Sequence, residues 1–440
     1  MVKWSMFIFK VKKNNQVLLY NTYNHAIVLF EEEEYIRINK FLSQGKYGDK
    51  YLQETLDNVE QLVEQEFLVD PDLNEKEKFM TDLKQQYKDD PRMCIQILPT
   101  TACNFKCPYC YQEGICRDKA LDENTVDLIH EFIDNYIERN DTIKKIHLVL
   151  HGGEPTLNWK VVSKIFEVVK TICEKYGLEY DTQIITNGYL LDKEKIDLLA
   201  ENNLRNAQIT IDGIYDVHEA RRISKSGIKT FETILSNIHE ILKTNTTGKI
   251  NIRINYDKDN VDTVEETIKF LAKEFHDERV KVTLGYITKT LNELDSNEYI
   301  NKYGITLKEL INYYPKFHKV LRENGFEPEE MFAFDGLCVS KLRHNMIIDP
   351  TGKIYKCPSG VGTEEFVEGD IREMKTKIRD YTSWKLYDYC FKEKCPFIPV
   401  CHTSCRFISK AKFGDMNIID CKRSILTKIN DIILADQFIE

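Results

Sequence analysis

The residues most suited to chemistry are three cysteines on one short stretch, Cys103, Cys107 and Cys110, in the sequence CNFKCPYC. Three thiolates at C-x3-C-x2-C spacing can bind three irons of a [4Fe–4S] cube and leave the fourth iron open to a further ligand. Zinc and buried structural thiols are the alternatives. Zinc usually takes four nitrogen or sulfur ligands, and this stretch offers three with no nearby histidine. The spacing therefore favours an iron–sulfur cluster.

Two polar motifs follow predicted strands further along the chain. The first is His151-Gly152-Gly153-Glu154-Pro155, in which two glycines let a ligand approach the backbone and Glu154 offers an acceptor for an ammonium group. The second is Thr186-Asn187-Gly188, which supplies a hydroxyl. Either motif can also mark a plain turn. Loops that follow strands build the active sites of barrel folds, so we expect both motifs on the side of the sheet that carries the cysteines.

A third group of polar residues surrounds the next two strands. Asp212-Gly213 ends the stretch AQITIDG, and HEARR follows at His218–Arg222. Arg222 can act as a bidentate donor to a carboxylate, although the adjacent Arg221 offers the same chemistry. Asn255, at the end of IRIN, is a further candidate for a polar contact with a ligand. His218 fits a structural role better than a catalytic one.

These motifs together resemble the radical S-adenosylmethionine (SAM) family over about Met93 to Tyr286. The resemblance implies a SAM-binding [4Fe–4S] cluster whose reductive cleavage of SAM yields a 5′-deoxyadenosyl radical that takes hydrogen from a substrate. Such chemistry belongs to the cofactor, and the protein positions and shields it. The resemblance implies cluster ligands and SAM contacts at the following residues: Cys103, Cys107, Cys110, Tyr109, Gly152, Gly153, Glu154, Thr186, Arg222 and Asn255.

Seven further cysteines lie near the C-terminus, and their pattern resembles the SPASM extension of radical SAM peptide-modifying enzymes. That extension holds two auxiliary [4Fe–4S] clusters, which would bring the total to three. The chain departs from the family in having four residues, where two are usual, between Cys390 and Cys395. A zinc ribbon or knuckle is the alternative for the following cysteines: Cys338, Cys357, Cys390, Cys395, Cys401, Cys405 and Cys421.

The resemblance divides these seven cysteines into two sets. The outer cluster takes four of them, Cys390, Cys395, Cys401 and Cys421. The inner cluster takes Cys338, Cys357 and Cys405, and no further cysteine lies between Cys173 and Cys338. We therefore expect an open iron on the inner cluster, or a ligand from another residue, solvent or a substrate thiol. The remaining cysteines, Cys94, Cys116 and Cys173, are interpreted as ordinary thiols.

Length and composition limit the class of protein that carries these sites. The chain has 440 residues, enough for two or three domains, with 42% hydrophobic and 30% charged residues. A net charge of −10 without a long Lys/Arg block argues against nucleic acid as a partner. No apolar run is long enough to span a membrane, and the N-terminus differs from a signal peptide, which predicts a cytoplasmic protein. Thirteen cysteines then indicate metal or redox use rather than disulfides.

The periodicity predicts an α/β protein built around a partial (β/α)6 barrel. Strands alternate with helices over 93–290, which is typical of a parallel sheet. Residues 291–335 read as a helical bridge, and 336–440 as the irregular SPASM domain that bound clusters would organise. Before the barrel, 71–92 is charged and interpreted as a linker with some helical character. Residues 1–70 show three strands and two helices that resemble a winged-helix domain.

The layout of residues 1–70 resembles the leader-peptide recognition element of peptide maturases. Its mechanism would be β-augmentation, in which the leader adds a strand to an exposed sheet edge. An accessory domain that only packs on the barrel is the alternative. The predicted partners are thus a ribosomal precursor peptide and a flavodoxin- or ferredoxin-type electron donor.

The resulting functional hypothesis is a radical SAM enzyme that installs thioether crosslinks in a ribosomally synthesised precursor peptide. The inner cluster favours this chemistry, because a substrate thiolate could bind its open iron. A carbon–carbon crosslinking maturase and an anaerobic sulfatase-maturing (formylglycine-forming) enzyme are rivals. A non-enzymatic iron–sulfur electron carrier or zinc-binding adaptor is the more distant alternative.

Overall fold

The computed structural model describes residues 2–44, 52–110, 112, 118–288, 297–328, 338–373 and 379–439. Cys116 and several parts of the predicted bridge and C-terminal domain lie outside the described residues: 291–296, 329–337, 374–378 and 440.

The N-terminal region is a small sheet with two helices. Three antiparallel strands pair in the order β2-β3-β4, and the short strand β1 pairs with β5. Asn14 and Asn15 turn the chain between β2 and β3 with φ of 48° and 60°, a conformation that asparagine tolerates. The bounds are β1 Lys3–Trp4, β2 Ile8–Lys13, β3 Gln16–Asn21, β4 Ile27–Glu31, α1 Glu32–Gln44, α2 Leu52–Glu64 and β5 Leu68–Val69.

The charged stretch predicted as a linker contains a long helix, α3 at Glu75–Asp89. Phe79 and Leu83, one helical turn apart, are buried although most of the other residues of the helix are charged or polar. The ring centroid of Phe79 lies 5.7 Å from that of Phe7 and 5.8 Å from that of Phe391. The helical character of this stretch was therefore expected, and its packing between the N-terminal region and the C-terminal region was not.

Six parallel strands form the central sheet, in the sequential order β6 to β11, and helices connect them. The predicted α/β architecture with a mostly parallel sheet is confirmed. The elements are β6 Arg92–Ile97, α4 Glu123–Glu138, β7 Lys145–Leu150, α5 Trp159–Tyr176, β8 Glu179–Thr186, α6 Lys193–Glu201, β9 Leu204–Thr210, α7 Asp216–Arg221, α8 Phe231–Leu242, β10 Lys249–Tyr256, α9 Val264–Glu274 and β11 Val280–Tyr286.

The two faces of this sheet differ in character. On β10, Ile250, Ile252 and Ile254 are fully buried in the core that the helices cover. The alternate residues Arg253 and Asn255 are polar and only half-buried, because successive side chains of a strand point to opposite faces. The face away from the helices is therefore polar, and the predicted motifs follow the carboxyl ends of its strands.

The C-terminal region extends the same sheet, which the sequence did not predict. Strand β12 pairs in parallel with β6, with His344 opposite Met93, and every residue of β12 is buried. The nine-stranded sheet is therefore open, with β11 and β14 at its ends. The added elements are α10 Glu298–Tyr303, α11 Leu307–Glu323, β12 His344–Ile348, β13 Lys353–Tyr355, β14 Val367–Asp370, α12 Lys385–Lys392, α13 Ile398–Cys401, α14 Arg406–Phe413 and α15 Arg423–Phe438.

The N-terminal sheet packs on this C-terminal region. One buried cluster joins Phe9, Leu18 and Tyr20 to Phe397 and Leu426, and the Phe9 and Phe397 ring centroids lie 5.0 Å apart. The contact is therefore with the cysteine-rich region. Among the described residues, no helix has the length and apolar character needed to traverse a bilayer.

Candidate functional site

The cysteine loop is held in place by the segment that follows Arg222. The backbone N–H of Lys106 donates to the carbonyl of Ile223 at 2.8 Å, and that of Lys225 donates to the carbonyl of Asn104 at 2.9 Å. All three cysteines are free thiols: Cys107 is buried and Cys103 and Cys110 are partly buried. Two regions more than a hundred residues apart thus form one rim of the site.

Glu154 connects this rim to both strand-end motifs. Its side chain is fully buried, and Oε1 accepts hydrogen bonds from Thr156 Oγ1 at 2.6 Å and from Thr186 Oγ1 at 2.7 Å. Oε2 accepts from the backbone N–H of Asn187 at 2.7 Å, and Asn187 Nδ2 donates to Asn104 Oδ1 of the cysteine loop at 2.7 Å. A carboxylate has about four lone-pair sites, so Oε2 keeps capacity for a further donor such as an ammonium group.

The structure shows a requirement for the two glycines before Glu154 in addition to the predicted approach of a ligand. A Cβ on Gly152 would lie 2.3 Å from the carbonyl oxygen of Thr100, and one on Gly153 would lie 2.2 Å from that of Ala102. No side chain fits at those distances. The close approach that requires glycine is thus to the backbone that leads into Cys103, and any room for a ligand is additional.

The neighbouring arginines have separate surroundings. Arg221 forms a bidentate ion pair with Asp257, with both nitrogen–oxygen distances at 2.9 Å, and is almost fully buried. Arg222 faces the cysteine loop: its Nη1 donates to Tyr109 Oη at 3.3 Å, and its buried Nε has no hydrogen-bond partner among the described residues. The buried Nε of Arg221 also has no partner among the described residues, so the free donor does not separate the two arginines. They differ because Arg221 is paired with Asp257 and Arg222 lies beside Cys107.

Asp212 and Tyr109 complete the charged part of the site. The hydroxyl of Tyr109 donates to Asp212, and burial raises the pKa of both side chains, although Arg222 opposes the shift in each. Burial also raises the pKa of the Cys107 thiol to about 11, and Arg222 again opposes the rise. The guanidinium of Arg222 is therefore the positive charge that favours thiolate at this loop.

Asn255 joins the same network mainly through its backbone. Its N–H donates to Asp212 Oδ1 at 2.9 Å, and its side-chain oxygen accepts from Arg253 Nε at 3.0 Å. Asn260, which the sequence analysis did not select, donates to the carbonyls of Asp212 and Asn255 at 2.8 and 3.1 Å. Asp257 and Asn260 follow the end of β10, and that position was the only signal that could have identified them.

The seven C-terminal cysteines lie in two neighbourhoods. Burial raises the pKa of Cys357 to about 12, and the nearby Cys405 and Cys338 thiols add to this rise. Burial likewise raises the pKa of Cys390 to about 12, with contributions from Cys401, then Cys395 and Cys421. The assignment of these thiols to an inner and an outer cluster remains a prediction.

The thiols of this chain suit iron–sulfur clusters better than a single metal ion. Among the described residues, no three His, Cys, Asp or Glu side chains are grouped as ligands of one metal ion. A four-iron cube does not need such a group, because each iron takes one thiolate. Three free thiols beside a buried guanidinium, and two thiol neighbourhoods, fit clusters of this type. Burial raises the pKa of the leftover Cys94 and Cys173 to about 12, so both are poor nucleophiles.

The arrangement has counterparts among known proteins. Residues 97–271 match the family model described as the radical SAM superfamily. The radical SAM cyclopropyl synthase TigE of Paramaledivibacter caminithermalis is 21% identical, over 94% of this chain and 92% of its own. A cysteine-type anaerobic sulfatase-maturating enzyme of Clostridium novyi is 22% identical, over 69% of this chain and 85% of its own.

Solved structures show the same fold. Native anSMEcpe with bound AdoMet and the Cp18Cys peptide superposes with a TM-score of 0.61 at 18% identity, over 79% of this chain and 98% of that one. Streptococcus suis SuiB bound to the precursor peptide SuiA superposes with a TM-score of 0.52 at 15% identity, over 96% and 99%. The radical SAM family uses SAM and a [4Fe–4S] cluster, and the chain contains a domain of this superfamily over residues 97–271.

Proposed function

We propose that this protein is a radical SAM maturase that installs thioether crosslinks in a ribosomally synthesised precursor peptide. The observation that carries the proposal is the extent of the similarity to SuiB, which includes the N-terminal region and whose solved complex contains a precursor peptide. The match to TigE also spans nearly the whole chain. A sulfatase-maturing function is less favoured, because the matches to anSMEcpe and the Clostridium novyi enzyme cover a smaller part of this chain.

In this proposal Cys103, Cys107 and Cys110 hold the SAM-binding cluster. Glu154 receives the amino group of SAM on Oε2, and Arg222 donates to its carboxylate. SAM and the cluster, when bound, supply the carbon radical that takes a hydrogen atom from the peptide. Tyr109 and Asp212 orient Arg222, and Thr186 holds the Glu154 carboxylate. Gly152 and Gly153 let that carboxylate sit against the cysteine loop.

The leader peptide is proposed to bind the outer edge of β4. This strand has β3 as its one sheet neighbour in the described residues, and its first four residues, IVLF, carry no charge. The other edge, β2, carries Lys10, Lys12 and Lys13, and lysines protect a strand edge from pairing. An uncharged free edge is suited to β-augmentation by an extended leader.

The proposed thioether chemistry rests on the inner set of three cysteines, which leaves a coordination site for a substrate thiolate. Tyr286, at the carboxyl end of β11, lies close enough to Cys405 for that thiol to raise its pKa, after the larger effect of burial. The inner set would therefore adjoin the polar face of the sheet. An electron donor of the flavodoxin or ferredoxin type would supply the reducing electron.

Carbon–carbon bond formation is the second candidate, because the relative that matches 94% of this chain is described as a cyclopropyl synthase. Coexpression with a short cysteine-containing peptide encoded beside the gene distinguishes the two. Each crosslink removes two hydrogens, which mass spectrometry detects. Alkylation with iodoacetamide then separates the products, because a thioether consumes a cysteine thiol and a carbon–carbon bond leaves it reactive. A peptide of unchanged mass with active SAM cleavage would contradict both candidates.

A further inference from the structure

Two cations are buried between the two C-terminal cysteine neighbourhoods. Lys341 is 1% exposed and Arg406 is 2% exposed. No salt bridge joins either side chain to a carboxylate in the part of the chain that the structure describes. Taking a charge out of water is costly unless other charges or hydrogen bonds offset it, so this pair needs an explanation.

Both cations donate to backbone carbonyls of one turn, and Arg406 Nη1 also donates to the carbonyl of Met416 at 2.7 Å. Lys341 Nζ donates to the carbonyl of His402 and, at 3.3 Å, to that of Ser404. The Arg406 guanidinium donates to the carbonyl of Thr403 and, at 3.3 Å, to that of Ser404. Its buried Nε has no partner among the described residues. The two cations therefore hold the same three-residue turn.

That turn has a strained backbone. His402, Thr403 and Ser404 have φ of 47°, 65° and 68°, the left-handed region that non-glycine residues rarely adopt, and here three adopt it in succession. The turn joins Cys401 of the outer set to Cys405 of the inner set. Strain of this kind persists only where surrounding contacts hold it, and it is common at functional sites.

Thiols from both sets lie close enough to the two cations to interact with them. Cys338, Cys401 and Cys405 interact with Lys341, and Cys405, Cys401 and Cys390 interact with Arg406. Carbonyl dipoles alone do not neutralise two charges, whereas thiolates and the clusters they would hold carry net negative charge. The cations, the strained turn and the thiols therefore form one arrangement.

We propose that Lys341 and Arg406 are positioning residues that supply a shared positive charge to the two auxiliary clusters and thereby raise their reduction potentials. The inference rests on the proposed function in so far as that function includes both clusters. Reduction adds one electron to a cluster while its thiolate ligands stay in place. A fixed nearby cation stabilises the more negative, reduced form, since the low dielectric of the interior screens the charge weakly.

The test uses the full chain with Cys103, Cys107 and Cys110 replaced by alanine, so that only auxiliary clusters remain. In this background we compare Lys341→Met, Lys341→Arg and Lys356→Met. Lys356 is a matched control: it is 2% exposed and donates to the carbonyl of Leu342 at 2.7 Å, but its charged neighbours are carboxylates. Iron analysis and redox titration with dithionite, followed by electron paramagnetic resonance, give cluster content and potentials.

The expected result is about eight irons per chain in the background protein. We expect Lys341→Met to disfavour reduction of an auxiliary cluster by about tenfold, a fall of ~59 mV for one electron. Lys341→Arg and Lys356→Met should keep the starting potential. A loaded Lys341→Met protein with unchanged potentials, or an equal shift in Lys356→Met, would overturn the inference and leave the proposed function intact.

Failed cluster assembly is also informative. If Lys341→Met does not retain iron, Lys341→Gln and Lys341→Arg are compared: retention by the arginine variant alone supports the charge, and loss in both overturns it. If the background protein itself holds no iron, the auxiliary clusters of the proposed function fail, and the inference falls with them.

Discussion

Adjacent residues with the same chemistry can have opposite roles, as Arg221 and Arg222 show. Arg221 is committed to Asp257 through two hydrogen bonds of 2.9 Å. Arg222 contacts Tyr109 and lies beside the Cys107 thiol, whose pKa it helps to lower against the effect of burial. From the sequence alone, either side chain could bind a SAM carboxylate. In the structure Arg221 points to Asp257 and Arg222 points to the cysteine loop, which favours Arg222 for this role.

We expect Arg222→Gln to weaken SAM binding by about 10- to 100-fold, because a hydrogen bond to a charged group contributes ~1.5–3 kcal/mol. The folded structure should persist, since the ion pair of Arg221 is untouched. Anaerobic equilibrium dialysis of SAM against the reconstituted protein measures this change.

Arg221→Gln serves as the matched comparison. It leaves the Asp257 carboxylate buried without its partner, which costs about 3–5 kcal/mol of the free energy of unfolding. The melting temperature should fall for this variant more than for Arg222→Gln. A variant of Arg221 that kept its melting temperature and lost SAM binding would reverse the assignment.

At the scale of elements, loops that follow neighbouring parallel strands meet the cysteine loop backbone to backbone. Gly153 shows how tight this contact is, because its Cβ would lie 2.2 Å from one carbonyl oxygen and 2.4 Å from another. The Glu154 carboxylate depends on this contact for its position beside Thr186 and Asn187.

Gly153→Ala should therefore prevent iron binding at the cysteine loop, since the backbone of 101–102 must move to admit a methyl group. Gly227→Ala is the control: φ there is +73°, but nothing lies within 4 Å of the added Cβ. That change should cost only about 1 kcal/mol and leave the iron content intact. Iron analysis of both variants tests this expectation. Both are made in a protein that lacks the C-terminal clusters, so that only the cysteine loop can bind iron. Equal iron contents would contradict the expectation.

The free edge of β4 is the element that we assign to the leader peptide. Leu29 on this strand is 39% exposed. We expect Leu29→Asp to weaken leader binding at least tenfold, because a desolvated charge would face the added strand. Fluorescence anisotropy with a labelled precursor peptide measures the affinity.

Val63→Asp controls for the general effect of a surface charge, because Val63 is 42% exposed in the same region but lies on α2. Its affinity should stay near that of the unchanged protein. Equal weakening by both substitutions would argue against the β4 edge.

At the scale of the whole molecule, the N-terminal region is packed on the C-terminal region. Removing residues 1–70 would expose the apolar surface of Phe397 and Leu426 as well as delete the proposed leader site. Loss of peptide modification after that deletion would have two explanations. Point changes on β4 avoid this ambiguity because they leave the buried contacts in place.

The molecule also buries several neutral histidines. Burial lowers their pKa from 6.5 to about 3 or 4 in each case: His151, His218, His318, His344 and His402. Below pH 6.5 the unfolded chain takes up protons that the folded chain refuses. Stability is therefore complete above that pH and is lost as the pH falls toward 4, by ~1.4 kcal/mol per pH unit for each histidine.

We predict that the melting temperature falls between pH 7.5 and pH 5.5 and that His218→Met reduces this fall. The ring nitrogens of His218 have no hydrogen-bond partner among the described residues, so methionine should cost little at pH 7.5. Calorimetry at several pH values measures the slope. His276→Met, at an exposed position, should leave the slope of the melting temperature with pH unchanged. A large fall in the melting temperature of His218→Met at pH 7.5 would contradict the prediction, because it would reveal a hydrogen-bond partner of the ring.

The elements around the site could be predicted well where periodicity is strong. Strand β7 and helices α4 and α6 lie within 93–290, where the alternation of strands and helices is predicted, since their apolar residues repeat with the period of a strand or a helix. The packing of helix α3 and the pairing of strand β12 were not predicted. The buried residues of α3 are two among many charged ones, and β12 is buried only because β6 lies beside it.

By itself, the sequence determined the ligand types, their spacing and the alternation of strands and helices, because these depend on neighbours along the chain. The tertiary structure alone decided which groups meet: Glu154 with Thr186, the cysteine loop with the segment after Arg222, and Lys341 with the turn at His402. Such contacts join residues tens to more than a hundred positions apart. No local propensity encodes them, since they form only when the whole core is buried at once.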